Sequence, residues 1–127
     1  MKVLEKTTEE IVLELNLDET RALRAGVGEV CYGFHVPDFD ACMESTEREA
    51  ELLFRKMDRE LQFHKKKWLS DEQNKFHQIS LTAKEIHLLK TAHEETLREL
   101  VEEEYHTRTG VEFTVGQNLL NELVHLT

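Results

Sequence analysis

Residues 82–108 read TAKEIHLLKTAHEETLRELVEEEYHTR, a stretch with neither proline nor glycine. Thr82 carries the short hydroxyl that caps a helix, and Glu85, three positions on, carries a carboxylate that reaches back; the pair predicts a capping box. Behind it Ile86, Leu89, Leu97 and Leu100 share one side at about 100° per residue, with Val101 at the margin. Lys84, Glu95, Glu99, Glu102 and Glu103 fall on the other side. Thr109-Gly110 predicts the stop, because glycine takes a left-handed exit without strain. The expectation is one amphipathic helix from Thr82 to Arg108, about six or seven turns long.

Upstream, Ile11 to Leu17 alternates, with Leu13, Leu15 and Leu17 on one face and Glu14 and Asn16 on the other, the pattern of a half-buried strand. The ten residues before it are polar and predict a frayed end. Asp18 is the expected cap of a helix over 19–32 with the stripe Leu23, Val27, Val30 and Phe34. Gly26 and Gly28 inside it each cost about 1 kcal/mol against alanine, which points to a close backbone approach or a kink. Gly33 to Glu44 reads as a connector around Pro37, the only proline, with Phe39 as its anchor into the core. Thr46 and Glu49 form a second capping box. It opens a helix to Leu69 whose apolar positions step in threes and fours through Ala50, Phe54, Met57, Leu61, His64 and Trp68. A second strand is expected over 75–80, with His77, Ile79 and Leu81 on one face. Thr114 and Gln117 predict a last capped helix through Leu119, Leu120, Leu123 and Leu126.

The fold class this implies is α+β, predominantly helical, in one domain spanning 1–127. The halves 10–69 and 74–127 resemble each other. Leu15-Asn16-Leu17-Asp18 matches Ile79-Ser80-Leu81-Thr82, Asp38-Phe39 matches Glu104-Tyr105, and Leu53-Phe54 with Met57 matches Leu119-Leu120 with Leu123. The expected architecture is therefore an internal duplication, (β-α-α) twice, with a two-stranded sheet and four helices. So small a sheet needs helical cover or extension across a dimer.

Composition narrows the partners. A net charge of −10 opposes phosphate-backbone and anionic-membrane binding, both of which draw on lysine and arginine. Apolar runs are too short to cross a bilayer, and the start Met-Lys-Val-Leu-Glu-Lys lacks a signal-peptide core, so a cytoplasmic location with reduced Cys31 and Cys42 is expected. Neither a phosphate loop nor a nucleophile elbow occurs, and no cofactor is implied. Lys65-Lys66-Lys67 beside Phe63 and Trp68 is the one basic-aromatic patch, read as complementing a helix C-terminus. His93 on the apolar stripe reads as a core imidazole, and Glu103 with His106 has the Glu-x-x-His spacing of di-iron bundles, which need two such pairs and two further carboxylates.

The leading functional expectation is a non-enzymatic protein–protein interaction module acting as a homodimer. Its interaction residues would be Leu52, Phe63, Leu69 and Leu88, apolar side chains that fall off the main stripes. A second expectation is an acidic decoy that imitates nucleic acid and binds a basic protein. A third is an enzyme or metal protein using the connector cluster Cys31, His35, Asp38, Asp40, Cys42 and Glu44, since connectors carry function more often than cores do.

Overall fold

The computed structural model describes residues 1–70 and 76–126, the side chains of 64–70 excepted. Its fold is α+β and predominantly helical: three strands, β1 (Lys2–Lys6), β2 (Ile11–Asn16) and β3 (Phe76–Leu81), and six α-helices. The helices are α1 (Leu17–Gly28), α2 (Phe39–Met43), α3 (Glu47–Ser70), α4 (Ala83–Glu99), α5 (Glu102–Thr109) and α6 (Phe113–Leu126). The sheet is antiparallel in the order β1-β2-β3. Ile11, Leu13 and Leu15 of β2 and His77, Ile79 and Leu81 of β3 point into the core. Above them α1 packs on α3 and α4, and α4 packs on α1 and α6.

The expected two-stranded sheet and four helices need correction. Residues 2–6 are not frayed but form an edge strand, pairing Lys2 with Glu14 and Lys6 with Ile11. The turn into β2 is closed by Thr7, whose hydroxyl oxygen accepts from the Glu10 amide at 3.0 Å and whose own amide donates to the Glu10 carbonyl at 2.8 Å. The cap of α1 is Asn16, not Asp18. Its Oδ1 accepts from the Glu19 amide at 2.8 Å while the Glu19 carboxylate accepts from the Asn16 amide at 3.0 Å. Leu17 is thus helical and does not continue the strand. The first helix also changes pitch before its expected end: Glu29–Gly33 form a π-helical turn, with the Phe34 amide donating to the Glu29 carbonyl at 3.0 Å. Phe113 opens α6, so Thr114 sits inside the first turn and does not cap it.

The largest difference lies in the long acidic helix. Its start is as expected: Thr82 and Glu85 exchange both capping bonds, at 2.9 and 3.1 Å. Its end is as expected too, since Gly110 takes φ 74°. Between them the chain breaks at Leu100 and Val101, which are extended. A straight continuation would turn Glu104 toward the core. The break rotates the face, so Tyr105 and Thr109 are buried and Val101 and Glu104 are exposed. Removing an unpaired carboxylate from water costs far more than the few helical hydrogen bonds lost at the break.

Two expected close approaches are present. A Cβ on Gly26 would lie 3.3 Å from the His93 Cα, and one on Gly28 would lie 2.9 Å from the Phe54 ring. The capping box at Thr46 is also formed: Thr46 and Glu49 exchange bonds of 3.1 Å. Phe39 is buried as the anchor of the connector, part of which folds as α2. His64, Lys65, Lys66, Lys67, Trp68 and Leu69 carry expectations that lie outside the described side chains, and Lys75 lies outside the described residues.

The caps Asn16 and Thr82 lie 66 positions apart. Leu13 and Ile79, 66 apart, are direct partners across the β2–β3 ladder, flanked by Ile11 with Leu81 on one side and Leu15 with His77 on the other. Burial follows the same spacing: Leu23 and Leu89, Val27 and His93, Phe39 and Tyr105, Ala50 and Gly116, Leu53 and Leu119, and Met57 and Leu123 are all buried.

Candidate functional site

Along α3 the side chains Leu52, Lys56, Arg59 and Phe63 are spaced four, three and four, which puts them on one strip of the helix. Leu52 is 49% exposed and Phe63 81% exposed, so the strip faces solvent. The β3 edge and the start of α4 run beside it. Lys56 reaches across: its Nζ donates to the Ser80 carbonyl at 2.8 Å and to the two Glu85 carboxylate oxygens at 3.1 and 3.2 Å. Lys84 returns the contact by pairing with Glu49. That ammonium, with help from the Thr46 amide and hydroxyl, holds the Glu49 carboxyl down at about 2. Each capping carboxylate, Glu49 of α3 and Glu85 of α4, is therefore bound by a lysine from the other helix. Among the described residues, Arg59 has no ion-pair partner.

A cavity of about 410 Å³ lies between these helices, within the size range of small-ligand sites. Its walls are Lys56, Arg59, Lys84 and the two glutamates, with Leu52, Leu53 and Leu88 as apolar surface and Ser45 at the α3 entrance. Ser45 is 7% exposed, and its hydroxyl has no hydrogen-bond partner. A second hollow of about 760 Å³, lined by Asp58, Glu60, Gln62, Phe63 and Gln78, adjoins the first through Arg59. Phe76, 49% exposed, lies two positions before Gln78 on β3.

The four expected interaction residues separate. Leu52 and Phe63 are exposed on the strip, and Leu69 lies outside the described side chains. Leu88 is 3% exposed: α4 is covered by neighbours on more than one side, so its apolar face widens to include it. Ser45, Lys56, Arg59 and Lys84 were missed by the sequence reading. The four–three–four run of apolar, basic, basic and aromatic residues on the outer face of α3 was the signal for two of them.

The connector cluster is partly brought together. Cys31 and His35 line a cavity of about 380 Å³ with Glu47. Burial, reinforced by the charges of Glu51 and Glu47, pushes the Cys31 thiol up to about 11, so it stays protonated and weakly nucleophilic near neutrality. Asp38, Asp40 and Cys42 are exposed, and Glu44 turns away to accept from His87 at 2.9 Å. Asp38 and Glu44, which bracket α2, hold φ of 52° and 53°. Among the described residues no group of three or more His, Cys, Asp or Glu side chains is placed to hold a metal ion.

On the acidic side, Arg98 pairs with Glu95 and, at 3.2 Å, with Glu94, while Arg108 pairs with Glu104 at 3.0 Å and Glu29 at 2.8 Å. No helix of the described residues is long and apolar enough to cross a membrane. No family model, curated protein or solved structure matches the chain.

Proposed function

We propose that the chain is a non-enzymatic interaction module, one β-α-α motif used twice, that pairs with a second copy of itself along the outer strip of α3 and the β3 edge. The observation that carries this reading is Phe63, 81% exposed, on the same strip as exposed Leu52 and in one hollow with Gln78 of β3. Aromatic side chains are enriched at the cores of interfaces, and apolar surface removed from water contributes about 25 cal/mol per Å². β3 ends the sheet, so its outer backbone groups can pair with the same strand of a second copy around a twofold axis. Lys56 already covers the Ser80 carbonyl, which confines new strand pairing to the Phe76 end. What supports the repeated motif is the common spacing of caps, ladder partners and buried positions.

Size-exclusion chromatography with light scattering tests the reading. The wild-type chain is expected to run as a dimer at tens of micromolar, and Phe63→Asp as a monomer with the same circular dichroism. A wild-type monomer up to about a hundred micromolar, where any contact worth ~6 kcal/mol would show, removes the self-association.

A further inference from the structure

The first helix ends without the charge that usually answers a helix C-terminus. α1 runs on into the π-helical turn Glu29–Gly33, a turn type that recurs at functional sites, and neither segment has a basic residue in its last turn. By contrast, α4 ends on Arg98 and α5 on His106 and Arg108. The carbonyls of Val30, Cys31, Tyr32 and Gly33 accept no hydrogen bond among the described residues, and Pro37 has no N–H to offer. At this end lies the cavity of about 380 Å³, bounded by residues 30–36, by Phe39 and by Glu47 of α3. Its walls hold one carboxylate and neither lysine nor arginine. Glu47 and Glu51 stand one turn apart on α3, like charges that repel, and neither has an ion-pair partner among the described residues. Nearby carboxylates are paired: Glu49 with Lys84, and Glu29, which lies over Gly33, with Arg108 at 2.8 Å. The charges of Glu47 and Glu51 are felt inside the cavity, where they add to burial in pushing the Cys31 thiol up.

Two unpaired carboxylates and the negative end of a helix around one hollow select a cation, and the walls select its kind. A hard metal ion needs a full set of oxygen ligands, and among the described residues no three His, Cys, Asp or Glu side chains are placed to hold one. Aromatic and valine walls suit instead a weakly hydrated cation, which an aromatic face attracts through its quadrupole. We propose that the cavity at the end of the π-helical turn is a binding site for a small alkylated ammonium ion. The charged head lies between the Glu47 carboxylate and the free helix-end carbonyls, with its alkyl groups against Tyr32 and Phe34. Both rings are accessible: Tyr32 is 61% exposed and Phe34 half-buried. Tyr32 is also held in place, edge-on to Phe54 with ring centroids 5.6 Å apart. None of these residues belongs to the strip proposed for self-association, so the two readings stand or fall separately.

Choline is the probe, titrated into the ¹⁵N-labelled full chain at pH 8, above the ordinary imidazole range, and followed by amide chemical shifts. Dimethylbutanol, the isostere with carbon in place of the charged nitrogen, is the control. Saturable one-site shifts are expected at residues 30–36, 39 and 47, with the isostere roughly tenfold weaker. Glu47→Gln, at an exposed position, is expected to melt as wild type and bind choline about fivefold more weakly. Tyr32→Leu keeps an apolar side chain but removes the aromatic face; it is expected to weaken binding similarly and keeps the test alive if Glu47→Gln misfolds. Glu99→Gln, an exposed carboxylate outside the cavity walls, is expected to bind as wild type. The inference is overturned by non-saturating shifts, by equal affinity for the isostere, by shifts centred on the acidic start of α5, by an equal loss in Glu99→Gln, or by cavity variants that bind as wild type. Phosphatidylcholine vesicles separate the free ion from a lipid headgroup: co-sedimentation with no shifts from choline would also overturn it.

Discussion

Acid should unfold this protein earlier than its carboxylates alone require, and His93 is the reason. The imidazole is 1% exposed at the centre of the helical layer, where its Nε2–H donates to the Gly116 carbonyl at 2.9 Å. It packs edge-on to Tyr105, with ring centroids 6.1 Å apart, and lies against the backbone of Gly26. Burial favours the neutral ring and pulls its pKa below the ordinary 6.5, overriding the upward pull of the Gly116 carbonyl. The unfolded chain then takes up a proton that the folded chain refuses. Stability from this group is fully present above pH 6.5 and is lost as pH falls from there toward the depressed folded value, at a slope approaching about 1.4 kcal/mol per pH unit. Integrated from pH 7.5 to 5.5, the loss reaches at most about 1.4 kcal/mol, the limit for a ring that stays neutral throughout, most of it below pH 6.5. Urea denaturation followed by circular dichroism at the two pH values reads this directly, and comparison with His93→Gln cancels the contributions of the other histidines. Glutamine can still donate to Gly116 but does not titrate. Wild type should lose more than the variant over that interval, by up to about 1.4 kcal/mol or roughly 1 M in midpoint. Parallel pH dependence of the two proteins would refute the burial argument.

Gly116→Ala should destabilise by about 1–3 kcal/mol, because the new Cβ would lie 2.3 Å from the Tyr105 hydroxyl oxygen; in a Tyr105→Phe background the cost should shrink, a coupling readable from a double-mutant cycle of thermal melts. Thr82→Ala removes the cap of α4 and should cost about 1 kcal/mol in urea denaturation, against near-neutrality for the exposed neighbour Ala83→Ser. Alkylation by iodoacetamide at pH 8, mapped by peptide mass, should reach exposed Cys42 well before Cys31, whose thiol stays protonated up to about 11. Equal rates would mean that the Cys31 cavity is more open and polar than the structure has it.

Features that depend on neighbours in the chain were legible; features that depend on neighbours in space were not. The boxes Thr46–Glu49 and Thr82–Glu85 are three-residue devices whose partners lie within one turn, so the sequence contains all the information they need. The alternation of His77, Ile79 and Leu81 likewise reports a sheet face directly. β1 gives no such signal because all five of its residues are exposed; ladder bonds to β2 hold it, and these leave no side-chain pattern. Nor does the Leu100–Val101 break, which has no glycine or proline and follows from where the core lies relative to Glu104 and Tyr105. The cap of α1 was misplaced because Asn16 and Asp18 both qualify locally, and only the capping bonds to Glu19 decide between them. An orphaned hydroxyl is invisible in a sequence, since serine is ordinary at the start of a helix. It becomes visible only when burial is known: Ser45 is 7% exposed and its hydroxyl has no hydrogen-bond partner.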